Sequence, residues 1–200
     1  GSEMCIRDSI CRLDRFIWEL AVQQLAKWQK EGRDELYISV NISTKDFQYM
    51  DVYQTITSLV ERYGIIPSTL KLEITETAIM MGNAGELETI GRFRNYGFEV
   101  EIDDFGSGYS SLNTLKDIDV DVLKIDMGFF RTTRSERLER SMSILNMIIS
   151  LSKVLGLSVV TEGVETKEQV SRLSQMGCGV YQGYYFSKPI PVHEFEERYM

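Results

Sequence analysis

Histidine is almost absent from this 200-residue sequence, in which His193 is the only one. A zinc site built on imidazoles and a Ser-His-Asp triad each require a histidine placed among other reactive groups. A single histidine close to the C-terminus argues against both kinds of site. Any catalysis by this chain is therefore expected to depend on other side chains.

Cysteine and long hydrophobic runs are also scarce. The cysteines are Cys5, Cys11 and Cys178, an odd number without C-x-x-C spacing, which is typical of free thiols in a reducing compartment. The most apolar helical segment, SILNMIISLSKVLG, is too short and too polar to span a bilayer. We predict a cytoplasmic chain, either alone or as the cytoplasmic part of a longer, membrane-anchored protein.

Positive charge is in deficit, with 22 Lys and Arg against 30 Asp and Glu and a net charge of −8. Proteins that bind DNA or membrane surfaces broadly present a basic face. The charge balance therefore predicts no DNA partner. It leaves open a small anionic ligand whose charge is offset by bound metal ions.

The first nine residues, GSEMCIRDS, have no periodicity and do not lead into the pattern that follows. We interpret residues 1–9 as a cloning remnant or a sequencing-read artefact. Residues 10–200 contain no linker or low-complexity segment and are interpreted as one domain.

Within that domain one order of segments is repeated. A segment with helical periodicity is followed by a glycine and then by a segment in which apolar and polar residues alternate, as in a strand. Strands that alternate with helices predict an α/β fold with a parallel sheet. The predicted strands are ELYISVNIS, LKLEIT, FEVEID, VDVLKID, LSVVTEG and VYQGYYF.

Each predicted strand carries a polar residue near its carboxyl end, on the face opposite its apolar residues. Any one of them could be a solvated edge residue or a helix N-cap. Their recurrence favours the interior top of a parallel α/β barrel, where active sites are built, over an open sheet with two apolar faces. The residues are Asn41, Glu73, Asp103, Lys124, Asp126, Glu162 and Gln182.

The segment EIDDFGSGYSSL places two adjacent carboxylates, Asp103 and Asp104, before a glycine-serine loop. Asp104 could simply open a turn, and the loop could be no more than a flexible connection. The loop lacks the endings of a P-loop and of a dinucleotide fingerprint. Oxygen ligands without histidine or thiolate suit Mg²⁺ or Mn²⁺, and two such ions can catalyse displacement at phosphorus. Lys124 could then orient the water, stabilise developing charge or, if buried, serve as a base.

Successive motifs of the chain resemble those of the EAL domain family: SVNIS, LEITET, EIDDFGSGYSSL, VDVLKID, VVTEGVET and GCGVYQGYYFSKPIP. The resemblance covers nearly everything after Ile10. It implies a modified TIM barrel and hydrolysis of cyclic di-GMP to linear pGpG with two metal ions.

The resemblance also assigns residues to roles. Lys124 and Glu162 are implied in catalysis, and Asp126, Glu165 and Gln182 in substrate binding. Glu76, with Gly106, Ser107 and Gly108, is implied in anchoring the glycine-rich loop. The implied metal ligands are Asn41, Glu73, Asp103, Asp104 and Glu162.

The sequence departs from the family pattern at its N-terminus, where the first two strands and the E-A-L motif are expected and not found. The resemblance therefore implies an incomplete barrel and a fragment that is inactive alone. It further implies a homodimer in the intact protein and allows a fused sensor or cyclase domain. A non-catalytic module that binds cyclic di-GMP or docks a partner is the alternative.

Overall fold

A computed structural model describes residues 2–106, 118–130 and 135–200. Helices and strands alternate along the chain, as the periodicity predicts. The helices are α1 (Ser2–Lys30), α2 (Thr44–Tyr49), α3 (Val52–Tyr63), α4 (Glu76–Met81), α5 (Ala84–Tyr96), α6 (Ser135–Val154), α7 (Lys167–Gln175) and α8 (Val192–Tyr199). The strands are β1 (Ile38–Ile42), β2 (Leu70–Thr75), β3 (Glu99–Phe105), β4 (Val122–Asp126), β5 (Ser158–Glu162) and β6 (Val180–Tyr181).

The six strands form one sheet in sequential order, from β1 to β6. The pairs β1–β2, β2–β3 and β5–β6 are parallel. The predicted α/β class with a parallel sheet is therefore confirmed. The chain divides into two compact units, Gly1–Leu123 and Lys124–Met200. Helix α1 begins at Ser2, and the interpretation of residues 1–9 as non-native stays a prediction.

In the first unit, strand alternation separates a buried apolar face from a polar one. Leu70, Leu72 and Ile74 of β2 are all completely buried. The residues between them, Lys71 and Glu73, lie on the other face because successive side chains of a strand point in opposite directions. This alternation places the chemically useful residues of β2 together.

Two short helices, α2 and α4, are not predicted by the hydrophobic periodicity. Each begins at a capping side chain: Ser43 accepts a hydrogen bond from the Asp46 N–H, and Thr75 accepts one from the Ala78 N–H. The Asp46 carboxylate in turn accepts from the Ser43 N–H at 2.8 Å, which completes a capping box. Caps therefore create these helices in segments too short for periodicity to reveal.

Asp121, the residue before β4, is bound by both α5 and β3. Arg94 of α5 donates to Asp121 through Nε at 3.1 Å and through Nη2 at 2.8 Å. The other carboxylate oxygen of Asp121 accepts from the Val100 N–H at 2.9 Å. These charge-assisted hydrogen bonds hold Asp121 beside β3, directly before β4 begins.

A pair of carboxyl groups lies between α1 and α2. Asp46 is completely buried, and its Oδ1 has no hydrogen-bond donor. Burial raises the pKa of Asp14, and the charge of Asp46 and a side-chain hydrogen bond with Asp46 raise it further. A proton on Asp14 can therefore be donated to the Asp46 carboxylate, joining the two helices.

No helix among the described residues is long and apolar enough to cross a membrane.

We expect Asp14→Asn to stabilise the protein at neutral pH. The folded-state pKa of Asp14 is raised, so its contribution to stability is present at low pH and is lost as pH rises through that pKa. An asparagine amide donates to Asp46 at every pH, which is worth about 1 kcal/mol, or about 2–4 °C in Tm. Thermal unfolding between acidic and neutral pH should show the difference from wild type growing as pH rises. The exposed Asp34→Asn is the control, and an equal shift in both variants would contradict the assignment.

Candidate functional site

On the polar face of the first unit, residues that are register partners on neighbouring strands form rows that run across the sheet. Asn41 of β1 pairs with Glu73 of β2, and Glu73 pairs with Glu101 of β3. Asp103 pairs with Thr75, one row nearer the carboxyl ends of the strands. The predicted site residues Asn41, Glu73 and Asp103 are thus brought onto one face of three neighbouring strands.

Asp104 adopts a conformation that few residues tolerate. Its φ of 56° makes it the only residue other than glycine with a positive φ among the described parts of the chain. Aspartate is one of the few side chains found in this left-handed region, and such conformations are concentrated at functional sites. Asp104 is exposed whereas the neighbouring Asp103 is half-buried.

The turn after Asp104 is held by Glu76, the first residue of α4. Glu76 is buried, and its Oε2 accepts a hydrogen bond from the Gly106 N–H at 2.9 Å. Gly106 itself has a φ of 93°. The structure therefore brings Glu76 and Gly106 together, whereas Ser107 and Gly108 lie outside the described residues.

Trp18 supports the strand that carries Asn41. Its indole Nε1 donates to the Asn41 carbonyl oxygen at 3.0 Å, and its side chain is almost completely buried. The Asn41 side chain is left exposed at the end of β1. Sequence analysis did not single out Trp18, because a tryptophan at helical spacing is equally typical of an ordinary core residue.

In the second unit, the side chains of Lys124 and Glu162 form an ion pair. Lys124 Nζ lies 2.8 Å from Glu162 Oε1, and the side chains are 5% and 17% exposed. The two residues come from β4 and β5. The pairing brings together the two residues to which the resemblance assigns catalysis.

The carboxylate of Asp126, at the end of β4, is closely approached by two glycines, Gly128 and Gly163. Its Oδ1 accepts from the Gly128 N–H at 2.6 Å. A Cβ on Gly163 would lie 3.3 Å from the same oxygen, and one on Gly128 would lie 2.9 Å from Oδ2. The carboxylate is therefore tightly positioned but remains partly accessible.

Glu165 and Gln182 are both exposed; Gln182 directly follows β6, and Glu165 lies between β5 and α7. The Gln182 N–H donates to the Thr161 carbonyl at 2.8 Å, and its carbonyl accepts from the Val164 N–H at 3.1 Å. The Glu165 N–H donates to the Gln169 side chain at 2.7 Å. The backbone at both positions is thus fixed while the side chains face outward.

The donor set in both units suits a hard divalent cation. Asp103 and Asp104 of the first unit and Glu162 of the second offer carboxylate oxygens that are half-buried or exposed. Asn41 and Glu73 add an amide and another carboxylate on the same polar face as Asp103. Oxygen-only ligands of this kind favour Mg²⁺, Mn²⁺ or Ca²⁺ over zinc.

The EAL domain profile matches residues 7–189 of the sequence. This chain belongs to the EAL domain family. The match spans the strands that carry Asn41, Glu73, Asp103, Lys124 and Glu162.

Among curated proteins, the chain is 32% identical over 185 residues to the cyclic di-GMP phosphodiesterase RocR of Pseudomonas aeruginosa, covering 92% of this chain and 47% of RocR. It is 35% identical over 182 residues to the oxygen sensor protein DosP of Escherichia coli, covering 91% of this chain and 22% of DosP. The chain therefore spans less than half the length of these relatives.

Solved EAL structures share the fold. The phosphodiesterase PaMucR in its c-di-GMP complex is 31% identical with a TM-score of 0.86, covering 94% of this chain and 75% of that one. The EAL domain of Mycobacterium smegmatis DcpA is 31% identical with a TM-score of 0.83, covering 92% and 82%. The sheet thus matches the TIM-barrel-like EAL fold, as the resemblance implies.

We expect Glu76→Ala to lower the free energy of unfolding by about 1–3 kcal/mol, because a buried hydrogen bond to the Gly106 N–H is lost. Glu76→Gln keeps an acceptor of the same shape and should lose clearly less. Urea denaturation of the three proteins provides the measurement. Equal losses in both variants would show that the negative charge of Glu76, and not the hydrogen bond to Gly106, is what stabilises the turn.

We expect Gly183→Ala to destabilise the protein by about 1–3 kcal/mol, because its new Cβ would overlap the Val164 backbone, including the carbonyl oxygen. A Cβ on Gly179 would meet no atom within 4 Å, so Gly179→Ala is the matched control and should stay within about 0.5 kcal/mol. Chemical denaturation compares the two. Similar values for both alanines would mean that the backbone after Gln182 does not pack against Val164 as described.

Proposed function

We propose that the protein carrying this chain hydrolyses cyclic di-GMP to linear pGpG. The observation that carries the proposal is the placement of Asn41, Glu73 and Asp103 on one face of β1, β2 and β3, in a chain similar over most of its length to named cyclic di-GMP phosphodiesterases. Its relatives include proteins of several domain compositions, so a fused sensor or cyclase domain forms part of the proposal.

The proposed cation is Mg²⁺ or Mn²⁺, held in a two-metal site by the ligand set Asn41, Glu73, Asp103, Asp104 and Glu162. Such ions, when bound, lower the pKa of water and neutralise charge on a phosphoryl group. The chain itself supplies the rigid placement of these ligands, because all five belong to strands. The backbone conformation of Asp104, near the end of β3, further fixes its carboxylate.

Lys124 is proposed to act on the phosphodiester or on the attacking water. Its ammonium group is buried on β4, and the ion pair with Glu162 fixes the position of Nζ. From that position its N–H groups can donate to a water or to a phosphate oxygen. A lysine held in this way adds positive charge where negative charge develops during hydrolysis.

Asp126, Glu165 and Gln182 are proposed to contact the substrate. Guanine presents N–H donors on one edge and the acceptors O6 and N7 on another. The exposed Glu165 carboxylate can accept from the donors, and the Gln182 amide can donate to the acceptors. The fixed backbone at both positions limits the directions from which a base can be bound.

Self-association is a further part of the proposal. The resemblance implies a homodimer contact near the glycine-rich loop, whose first residue, Gly106, is held by Glu76 of α4. A contact there could influence the neighbouring carboxylates Asp103 and Asp104 through the same turn. Light scattering of the intact protein measures this association.

We expect Asp103→Asn to lower the rate of pGpG formation by at least about 10²–10³-fold, the usual effect of removing a key electrostatic group. Asp104→Asn should reduce the rate less, because Asp104 is exposed whereas Asp103 is half-buried. Chromatographic assay of cyclic di-GMP hydrolysis with Mg²⁺ or Mn²⁺ provides the measurement. Asp34→Asn, an exposed aspartate in the turn after α1, is the control and should leave the rate unchanged.

The assay should use the 200-residue chain and a version extended by the N-terminal strands that the resemblance implies. The shorter chain is expected to turn over slowly or not at all, and the extended one to be active. Tight binding of cyclic di-GMP by the extended protein without hydrolysis would favour the non-catalytic module instead. Equal, small losses in the Asp103 and Asp104 variants would contradict the two-metal assignment.

A further inference from the structure

Lys71 lies on the polar face of β2, in a cluster of charged side chains from β2 and β3. Its Nζ is 2.6 Å from Glu99 Oε1 and 3.5 Å from Glu101 Oε1, both on β3. The same ammonium group stands 3.9 Å above the centre of the Tyr37 ring, which adds a cation–π contact. Two carboxylates and an aromatic face therefore surround one lysine, whose side chain is only 14% exposed.

Glu101 is the most deeply buried acidic side chain of β3, at 4% exposed. Its second oxygen, Oε2, accepts a hydrogen bond from Ser39 Oγ at 3.3 Å. A carboxylate with so little access to water requires a compensating positive charge. Lys71 supplies that charge from the neighbouring strand.

The cluster is directly beside the proposed metal ligands. Glu101 is the register partner of Glu73, and Glu73 is the partner of Asn41. In strand sequence, Glu101 precedes Asp103 by two residues and lies on the same face. Judged only by its carboxylate and by its position in the register row of Asn41 and Glu73, Glu101 would therefore be as good a ligand for a divalent cation as Asp103.

The strand stagger of the EAL fold explains why Asp103 and not Glu101 is at the level of the site. In an eight-stranded parallel barrel the strands are tilted, so residues paired in register do not lie at the same height along the barrel axis. The residue at a given height is about one position nearer the carboxyl end on each successive strand. Between β1 and β3 the difference is about two residues. The β3 residue at the height of Asn41 is therefore Asp103, two residues after Glu101, which is in the same register row as Asn41. Glu101 thus lies one step deeper, beside Lys71.

The electrostatics of Lys71 agree with this arrangement. Burial by itself would lower the pKa of the Lys71 ammonium group. The hydrogen bond to Glu99 and the negative charges of Glu99 and Glu101 more than offset burial, so the pKa is raised.

We propose that Lys71 is a positioning residue that acts as an internal counter-ion and neutralises the carboxylates of Glu101 and Glu99. Divalent cations then bind only at the carboxyl ends of the strands. The inference rests on the metal site of the proposed function and extends it to a group outside the ligand set. Removing the ammonium group would leave two buried or half-buried carboxylates that can be neutralised by an additional divalent cation.

The test is Mn²⁺ binding to the purified chain without nucleotide, with free Mn²⁺ counted by electron paramagnetic resonance. Lys71→Met, which keeps the length of the side chain and removes its charge, should bind about one more Mn²⁺ per chain than wild type. Lys71→Arg keeps the charge and should bind the wild-type number. Adding Glu101→Gln to Lys71→Met should remove the additional ion.

Glu101→Gln alone provides a test that does not depend on the folding of Lys71→Met. It should change Mn²⁺ affinity by less than about twofold, whereas loss of a true ligand or its hydrogen-bonding partner costs about 10–100-fold. A loss of that size would make Glu101 a metal ligand and overturn the proposal. So would a folded Lys71→Met that binds the wild-type number of ions, or an additional ion that survives Glu101→Gln.

The result also separates this inference from the proposed function. If wild type binds no Mn²⁺ and Lys71→Met gains one ion that depends on Glu101, the metal part of the proposed function fails and the role of Lys71 stands. If wild type binds Mn²⁺ and Lys71→Met binds no more, the metal site stands and the role of Lys71 fails.

Discussion

The parallel register of β1, β2 and β3 is the constraint on which the polar face depends. It places Asn41, Glu73 and Glu101 side by side and Asp103 one row further along. A shift of one residue in any of these strands would turn its polar side chains into the apolar layer. Buried residues such as Leu72 therefore hold the chemistry in place as well as stabilising the sheet.

Concentrating carboxylates on one face of a chain with a net charge of −8 has an electrostatic cost. Each unit offsets part of it with a lysine that is largely removed from solvent, half-buried Lys71 in the first and buried Lys124 in the second. In the first unit Lys71 lies between Glu99 and Glu101, and in the second Lys124 pairs with Glu162. Both lysines are supplied by strands, so their charges have fixed positions. The proposed cations then have to neutralise only the carboxylates at the strand ends.

Much of this arrangement could be predicted from residue order. Alternation identified six strands and the side of each that carries Asn41, Glu73, Asp103 or Glu162, because the period of a strand is two whatever its neighbours. It could not distinguish Glu101 from Asp103, since both occur on the same face of one strand. Only the contacts of the Lys71 ammonium group with Glu99 and Glu101 show that the two glutamates of β3 belong to a different cluster.

By itself the sequence determined the order of helices and strands, the polar face of each strand and the family, because these follow from local periodicity and from motifs. Tertiary structure alone decided which side of α1 is covered: Trp18, Val22 and Leu25 are buried, whereas Leu13 and Phe16 are exposed at the same helical spacing. It also decided that Glu76 binds the Gly106 N–H and that Lys124 pairs with Glu162. These contacts join residues distant along the chain, and their geometry depends on register and packing that no local pattern encodes.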